Sequence, residues 1–166
     1  MPDFVHERHK PPQELARPRE LVVVCAPLRS NINLSRIARA AGCCGLTRLI
    51  CCGPGKLDRK IARDAADTLQ IESHRTLEPV LKKLRDEAYR LVGLEQTSHS
   101  RDLHHYEFAR RTALIIGNER TGLTKDALAL LDDVVEIPVW GLPYSYNVAT
   151  ATAMTLYEYC RQFPEG

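Results

Sequence analysis

The sequence lacks a secretory signal, a membrane span and the common zinc and nucleotide fingerprints. Its start, Met1-Pro2-Asp3-Phe4, has no apolar signal core, so the expected compartment is the cytoplasm. One long stretch, Ile137 to Tyr157, carries no charge. It holds Pro138, Gly141, Pro143, Ser145, Asn147 and three threonines, too polar and too broken to cross a bilayer. None of the six cysteines stands in C-x2-C or H-x3–5-H company, and four form adjacent pairs, Cys43-Cys44 and Cys51-Cys52. No metal is expected, and six reduced, packing cysteines are the reading for a cytosolic chain. G-x-G-x-x-G, the P-loop pattern and the G-x-S-x-G elbow are also missing. Dinucleotide-binding, P-loop and hydrolase functions thereby lose their main support. Gly53-Pro54-Gly55-Lys56 reads as a turn.

What is present suits one ordinary domain. With 166 residues, 44% hydrophobic and 27% charged, the chain can bury roughly 68–70% of its unfolded surface. Leu21 to Ala26 is a short continuous apolar run, the pattern of a strand covered on both faces. Arg48 to Cys52, Arg90 to Leu94, Ala113 to Ile116 and Val134 to Ile137 repeat it, with a weaker signal near Ile71. Helical patterns fall between: Asn33 to Cys44, Thr76 to Ala88, Thr124 to Leu131 and Asn147 to Gln162. Strands alternating with helices imply an α/β fold, a mainly parallel sheet with helices on both faces. Residues 1–19, with mixed charges, are expected to be a loosely ordered lead-in, and 20–166 the domain.

The net charge of +2 hides an asymmetry. Arg29, Arg36, Arg39, Arg48, Lys56, Arg59, Lys60 and Arg63 oppose Asp58 alone between residues 29 and 63, a local +7 that leaves −5 for the remainder. Such a surface suits an anionic partner, nucleic acid above all, although solvated arginines would look the same.

Ligands of open α/β sheets bind beyond the carboxyl ends of the strands. Three segments near those ends stand in order. Asn33 precedes Arg39 by six residues and Gly45 follows it by six. Ile116-Gly117-Asn118-Glu119-Arg120-Thr121-Gly122 is the second. The third runs from Ile137-Pro138-Val139-Trp140-Gly141 to Ser145-Tyr146-Asn147-Val148, then Leu156-Tyr157-Glu158 and Arg161-Gln162. Together they resemble the three motifs of the SpoU family in the SPOUT superfamily of RNA methyltransferases. GLEQTSHSRDL and GNERTGLT are most similar to members that methylate the ribose of tRNA guanosine 18; relatives acting on rRNA or the anticodon loop share these motifs. Tyr146 departs from the family's usual Leu.

The resemblance implies a carboxyl-terminal deep trefoil knot that binds S-adenosylmethionine, and a homodimer whose active site is shared between protomers. It implies catalytic roles for Arg39, Asn33, Glu119, Ser145 and Asn147, and cofactor contacts from Thr97, Gly117, Ile137 and Tyr146. Arg29, Arg36, Arg59, Lys60 and Arg63 would meet RNA, tRNA before rRNA. With no separate RNA-recognition domain in these residues, substrate choice is expected to rest on the catalytic domain. Simpler roles compete. Asn33 suits a helix N-cap, Asn147 another, and Glu119 a support of its loop. Glu158 and Arg161 suit a surface pair, and His104 and His105 an exposed loop. Arg39 could act as a base or as a cation orienting the ribose; an arginine pKa above about 12 favours orientation. A non-catalytic RNA-binding protein of this fold is the rival reading.

Overall fold

The computed structural model describes residues 1–166. Seven strands form one sheet: β1 (Leu21–Cys25), β2 (Arg48–Cys52), β3 (Gln70–His74), β4 (Arg90–Leu94), β5 (Arg101–Asp102), β6 (Thr112–Ile116) and β7 (Asp133–Glu136). Their order is β3-β2-β1-β6-β4-β7-β5, and every neighbouring pair is parallel. Six helices accompany them: α1 (Asn31–Cys43), α2 (Arg59–Ala62), α3 (Ala65–Thr68), α4 (Glu78–Asp86), α5 (Lys125–Ala129) and α6 (Val148–Gln162).

Side chains alternate across a strand, so one sheet makes two cores. Val23, Cys25, Leu49, Leu114 and Ile116 bury against Leu34, Ile37 and Ala41 of α1 and Leu156 and Tyr159 of α6. Val22, Val24, Ile50, Ala113 and Ile115 bury on the other face against Val80, Leu81 and Leu84 of α4 and Ala127 of α5. Truncating the fully buried Leu84 to Ala would cost about 2–5 kcal/mol. The chain moves from β1 outward through β2 and β3, then returns to the other side of β1 for the remaining strands. That reversal opens a crevice between the loops after β1 and β6.

Local chemistry sets the helix ends. Ser30 caps α1, its hydroxyl accepting from the Asn33 N–H at 3.1 Å. The helix ends at Gly45, whose φ of 72° few side chains tolerate. Asn147 caps α6, accepting from the N–H groups of Ala149 and Thr150.

Several sequence expectations need correction. Asn33 is not the cap of α1; Ser30 is, three residues before the expected start, and the Asn33 amide is used elsewhere. The basic stretch contains α2, with α3 just beyond it, and β5 adds a two-residue edge strand; all three were too short for periodicity to show. Arg48 does not belong to the basic surface. It ion-pairs with Glu72 at 2.5 Å and Glu87 at 3.1 Å, with its side chain only 18% exposed. Nor do all cysteines serve packing: Cys25, Cys51 and Cys52 are buried, but Cys43 is exposed and Cys44 and Cys160 are half-buried.

Residues 1–14 form no helix or strand and are exposed. From Leu15 onward the chain is tied to the carboxyl terminus. The Ala16 and Arg17 N–H groups donate to the Glu165 carbonyl. Arg19 is buried and donates to the carbonyls of Cys44 (2.7 Å) and Phe163 (2.5 Å). No helix is long and apolar enough to cross a membrane.

Candidate active site

The loops that follow β4, β6 and β7 meet the start of α6 around a cavity of about 270 Å³. Leu94, Ile116, Ile137, Val139, Val148 and Ala151 supply its apolar wall; Gln96, Asn118, Ser145 and the carboxylates Glu95, Glu119 and Glu136 supply polar groups. Gly117 allows the β6 loop to fold tightly here. A Cβ at Gly117 would stand 2.7 Å from the Gly122 carbonyl carbon and 2.8 Å from the Leu123 nitrogen, so a side chain there would force the loop open.

Two carboxylates fix that loop, Glu119 by reaching from it to the backbone after β1 and Glu95 by accepting from the loop's own backbone. Glu119 accepts from the N–H of Arg29 (2.8 Å), the N–H of Ser30 (3.0 Å) and the Asn33 side-chain amide (3.3 Å). Burial alone would push this carboxyl up; the N–H donors of Arg29, Glu119 itself and Ser30, with the Asn33 amide, hold it below its ordinary value. From the other side Glu95 accepts from the N–H of Leu123 at 3.1 Å and of Gln96 at 3.0 Å. Asn118 completes the turn, its side-chain oxygen accepting from the N–H groups of Arg120 and Thr121.

The Asn33 amide makes the link onward: its Oδ1 accepts from Asn147 Nδ2 at 3.2 Å. Glu119, Asn33 and Asn147 therefore form one hydrogen-bonded chain running from the β6 loop through α1 to the cap of α6. Gly117, Glu119, Ile137, Ser145 and Tyr146 line the cavity itself.

Other expected site residues lie apart. Thr97 is not on the cavity wall; its hydroxyl and N–H meet Ser100, while Glu95 and Gln96 take the wall positions. Arg39 is exposed on α1 and does not line the cavity. Six residues beyond Asn33, it stands about 9 Å along the helix and about 120° around it. Arg29, Arg36, Lys60 and Arg63 are exposed, like Lys56, and none of their side chains enters an ion pair. Arg59 differs, pairing with Asp67 at 2.6 Å. His104 and His105 are exposed beside Asp102. Glu158 does pair with Arg161, but it also accepts from Gln162, and its side chain is largely covered. No three His, Cys, Asp or Glu side chains are grouped to hold a metal.

Glu95, Gln96, Asn118 and Glu136 went unassigned in the sequence. GLEQTS, which contains the first two, and GNERTGLT, which contains Asn118, carried a signal; Glu136 carried none.

The sequence pattern of the SpoU rRNA Methylase family matches residues 20–157. The chain belongs to this family. A relative from Escherichia coli, a tRNA (guanosine(18)-2'-O)-methyltransferase, is 31% identical over 149 residues, covering 88% of this chain and 65% of its own. The chain thus spans about two thirds of that relative's length, just under it. The fold matches the TrmH/SpoU tRNA modifying enzyme of A. aeolicus at a TM-score of 0.83 with 24% identity, over 90% of this chain and 78% of that one. The SpoU methyltransferase AviRb of Streptomyces viridochromogenes, solved in complex with the cofactor AdoMet, matches at 0.74 with 28% identity over 92% and 64%. Within this SpoU chain the three motif segments are the ones joined by the Glu119–Asn33–Asn147 contacts.

Proposed function

We propose that this chain is an S-adenosylmethionine-dependent RNA ribose 2'-O-methyltransferase whose substrate is guanosine 18 of tRNA. The observation that carries the reading is the hydrogen-bonded chain of Glu119, Asn33 and Asn147 beside a cavity at the carboxyl ends of β4, β6 and β7. The relatives' names supply the substrate. The residues present suit the cofactor. The cavity is near the lower end of the ~300–1,000 Å³ usual for small-molecule sites, and Gly117 keeps backbone groups close to whatever enters. Glu95, Glu119 and Glu136 give its rim negative charge, favourable for a sulfonium. When bound, S-adenosylmethionine supplies an electrophilic methyl group. Gly117, Ile137 and Tyr146 would hold it, and Tyr146 offers a larger face than the family's Leu.

Arg39 is the group assigned to the ribose. Its planar fork suits a hydroxyl and a neighbouring phosphate together, and it steadies the alkoxide as the proton leaves to phosphate or water. Because Arg39 stands off the wall of its own cavity, it is assigned to the site of a second copy. Exposed Trp140, Leu142, Tyr144 and Tyr157 support such a homodimer, since apolar groups of this size lower the free energy when covered. The trefoil knot belongs to the same proposal. Its support is contact near the carboxyl end between segments far apart in sequence, where Gln96 donates to the Tyr144 carbonyl and Gln162 bridges Tyr106 and Phe108. Exposed Arg29, Arg36, Lys60 and Arg63 would meet phosphates.

Transfer of a labelled methyl group to total tRNA and rRNA, with nucleoside analysis and mapping, tests this directly. A 2'-O-methylguanosine at position 18 is expected. Label only in rRNA, in the anticodon loop or on a base nitrogen overturns the assignment; no label, with RNA bound, favours the non-catalytic reading.

A further inference from the structure

Helix α6 begins at the cavity and α1 begins beside it, where Asn33 meets Glu119, and both end near one cluster of groups that the methyl-transfer site does not use. There Cys44, at the end of α1, and Cys160, in the last turn of α6, are half-buried beside buried Arg19. The Cys160 sulfur lies 3.9 Å from the Cys44 carbonyl oxygen, and the two side chains are near enough for each thiol to shift the other. The Arg19 guanidinium bridges the carbonyls of Cys44 and Phe163, placing a positive charge between the ends of both helices.

We propose that Cys44 and Cys160 are an oxidisable dithiol, forming a disulfide that fastens the carboxyl ends of α1 and α6 when hydrogen peroxide is present. The proposal is independent of the substrate, and it holds whether or not the chain methylates RNA.

The chemistry balances with peroxide as the oxidant. The Cys160 sulfur attacks one peroxide oxygen, the O–O bond breaks, and hydroxide leaves to become water. The resulting sulfenic acid is attacked by the Cys44 sulfur, which gives up its proton as the S–O bond breaks and a second water departs. Two thiols and one peroxide thus yield one disulfide and two waters.

The neighbours divide the two roles. A hydrogen bond from Cys44, opposed by burial and helped by the Arg19 charge, lowers the Cys160 thiol to about 7. The same hydrogen bond pushes the Cys44 thiol up, joined by burial and by the adjacent Cys43. Cys160 is the attacking sulfur and Cys44 the resolving one. The remaining thiols do not compete in this reaction. Burial pushes Cys51 and Cys52 up to about 11 and also raises Cys25 well above its ordinary value. Cys43 is exposed, and it is removed from the test by substitution.

Closing a loop across 116 positions restricts the unfolded chain, so the oxidised protein should melt on the order of 10 °C higher than the reduced one. The experiment uses the full chain as Cys43→Ser, treated with peroxide at micromolar protein, alkylated and digested under non-reducing conditions. Expected are the loss of two titratable thiols, a peptide linking Cys44 to Cys160, a monomeric band for that species, and reversal by dithiothreitol. Cys44→Ser should halt at sulfenic acid on Cys160, which a dimedone probe traps, and Cys160→Ser should give neither product. Retention of all five thiols, a link only between two copies, a link through other cysteines, or a melting point unchanged by the crosslink would overturn the proposal. Because the crosslink is read first in a chain with both thiols intact, misfolding of either Ser variant cannot imitate the expected result.

Discussion

The two ends of the sheet use the same residue types in opposite ways. At the amino end, carboxylates hold arginines: Glu72 and Glu87 take Arg48, Glu20 takes Arg110 and Arg111, and Asp133 takes Arg90. At the carboxyl end, Glu95 and Glu119 hold backbone N–H groups instead, and the side chains of Arg29 there and of Arg36 and Arg39 along α1 enter no ion pair. Pairing an arginine neutralises it in place and secures a strand start. Leaving it free keeps its charge for an outside anion, at some cost in self-repulsion. Stability therefore concentrates at one end and binding capacity at the other. Substitutions at each end should fail in different ways.

The largest expected effect is at Arg39. Arg39→Ala should lower turnover more than a hundred-fold, over ~2.7 kcal/mol of transition-state stabilisation, with cofactor affinity within a few-fold and melting unchanged. Steady-state methyl transfer and calorimetry with S-adenosylmethionine read the two quantities. Turnover above a tenth of wild type would remove Arg39 from the centre of the reaction. Arg39→Lys adds a test of its role: poor activity at every pH fits orientation, and recovery as pH rises fits a base.

Glu119 comes next, because it joins the motif segments without any ion pair. Glu119→Gln swaps an acceptor-only group for one that brings its own donor to a site already full of donors. Charged hydrogen bonds of this kind contribute ~1.5–3 kcal/mol, so a drop of about 10- to 100-fold in turnover is expected. The pH dependence has a definite sign. Its folded carboxyl is held below the ordinary 4.5, so its stabilisation is full above that pH and fades as acid protonates the folded form. The melting difference between wild type and Glu119→Gln should shrink on acidification below about 4.5; a constant difference would mean that charge is not what the loop needs.

At the amino end the expected loss is of stability alone. Arg48→Met leaves Glu72 and Glu87 without their shared cation in a largely covered site, at a cost of about 1–3 kcal/mol. The Arg48 guanidinium holds the Glu72 carboxyl below its ordinary value, so this loss too should fade in acid. Chemical denaturation should move while turnover of the folded fraction stays constant. A matching loss of turnover would show that the ends are coupled.

Much of this contrast was legible in the sequence, and the illegible part has a physical reason. β2 and β4 are found where apolar runs place them, because a buried parallel strand announces itself by composition. The Asn33, Glu119 and Asn147 positions followed from motif spacing. Their hydrogen-bonded chain did not, since it joins positions over a hundred residues apart. Asn33 resembled a cap because Asn is a cap residue, yet Ser30 was available three positions earlier and freed its amide for Glu119. Arg48 counted as surface charge because a linear tally does not see Glu72 across the sheet. Cys44 and Cys160 are likewise partners only in the folded chain.

The smallest effects sharpen the contrast within the basic surface itself, where Lys60 and Arg59 are neighbours on α2 with different company. Lys60 has no acidic partner, whereas Arg59 reaches Asp67. Both are exposed, so the Arg59–Asp67 pair contributes only ~0–1 kcal/mol to folding, but it places a negative charge beside the guanidinium. An RNA phosphate must compete with that carboxylate at Arg59 and with water alone at Lys60. Lys60→Ala should therefore weaken tRNA binding a few-fold and lower the salt dependence by about one counterion, while Arg59→Ala changes both less. Asp67→Ala should make Arg59 behave like Lys60, tightening tRNA binding slightly and steepening its salt dependence. Fluorescence anisotropy across a salt series measures all three variants on one scale. Equal responses from Arg59→Ala and Lys60→Ala, unaffected by Asp67→Ala, would mean that local pairing does not decide which cations this surface offers to RNA.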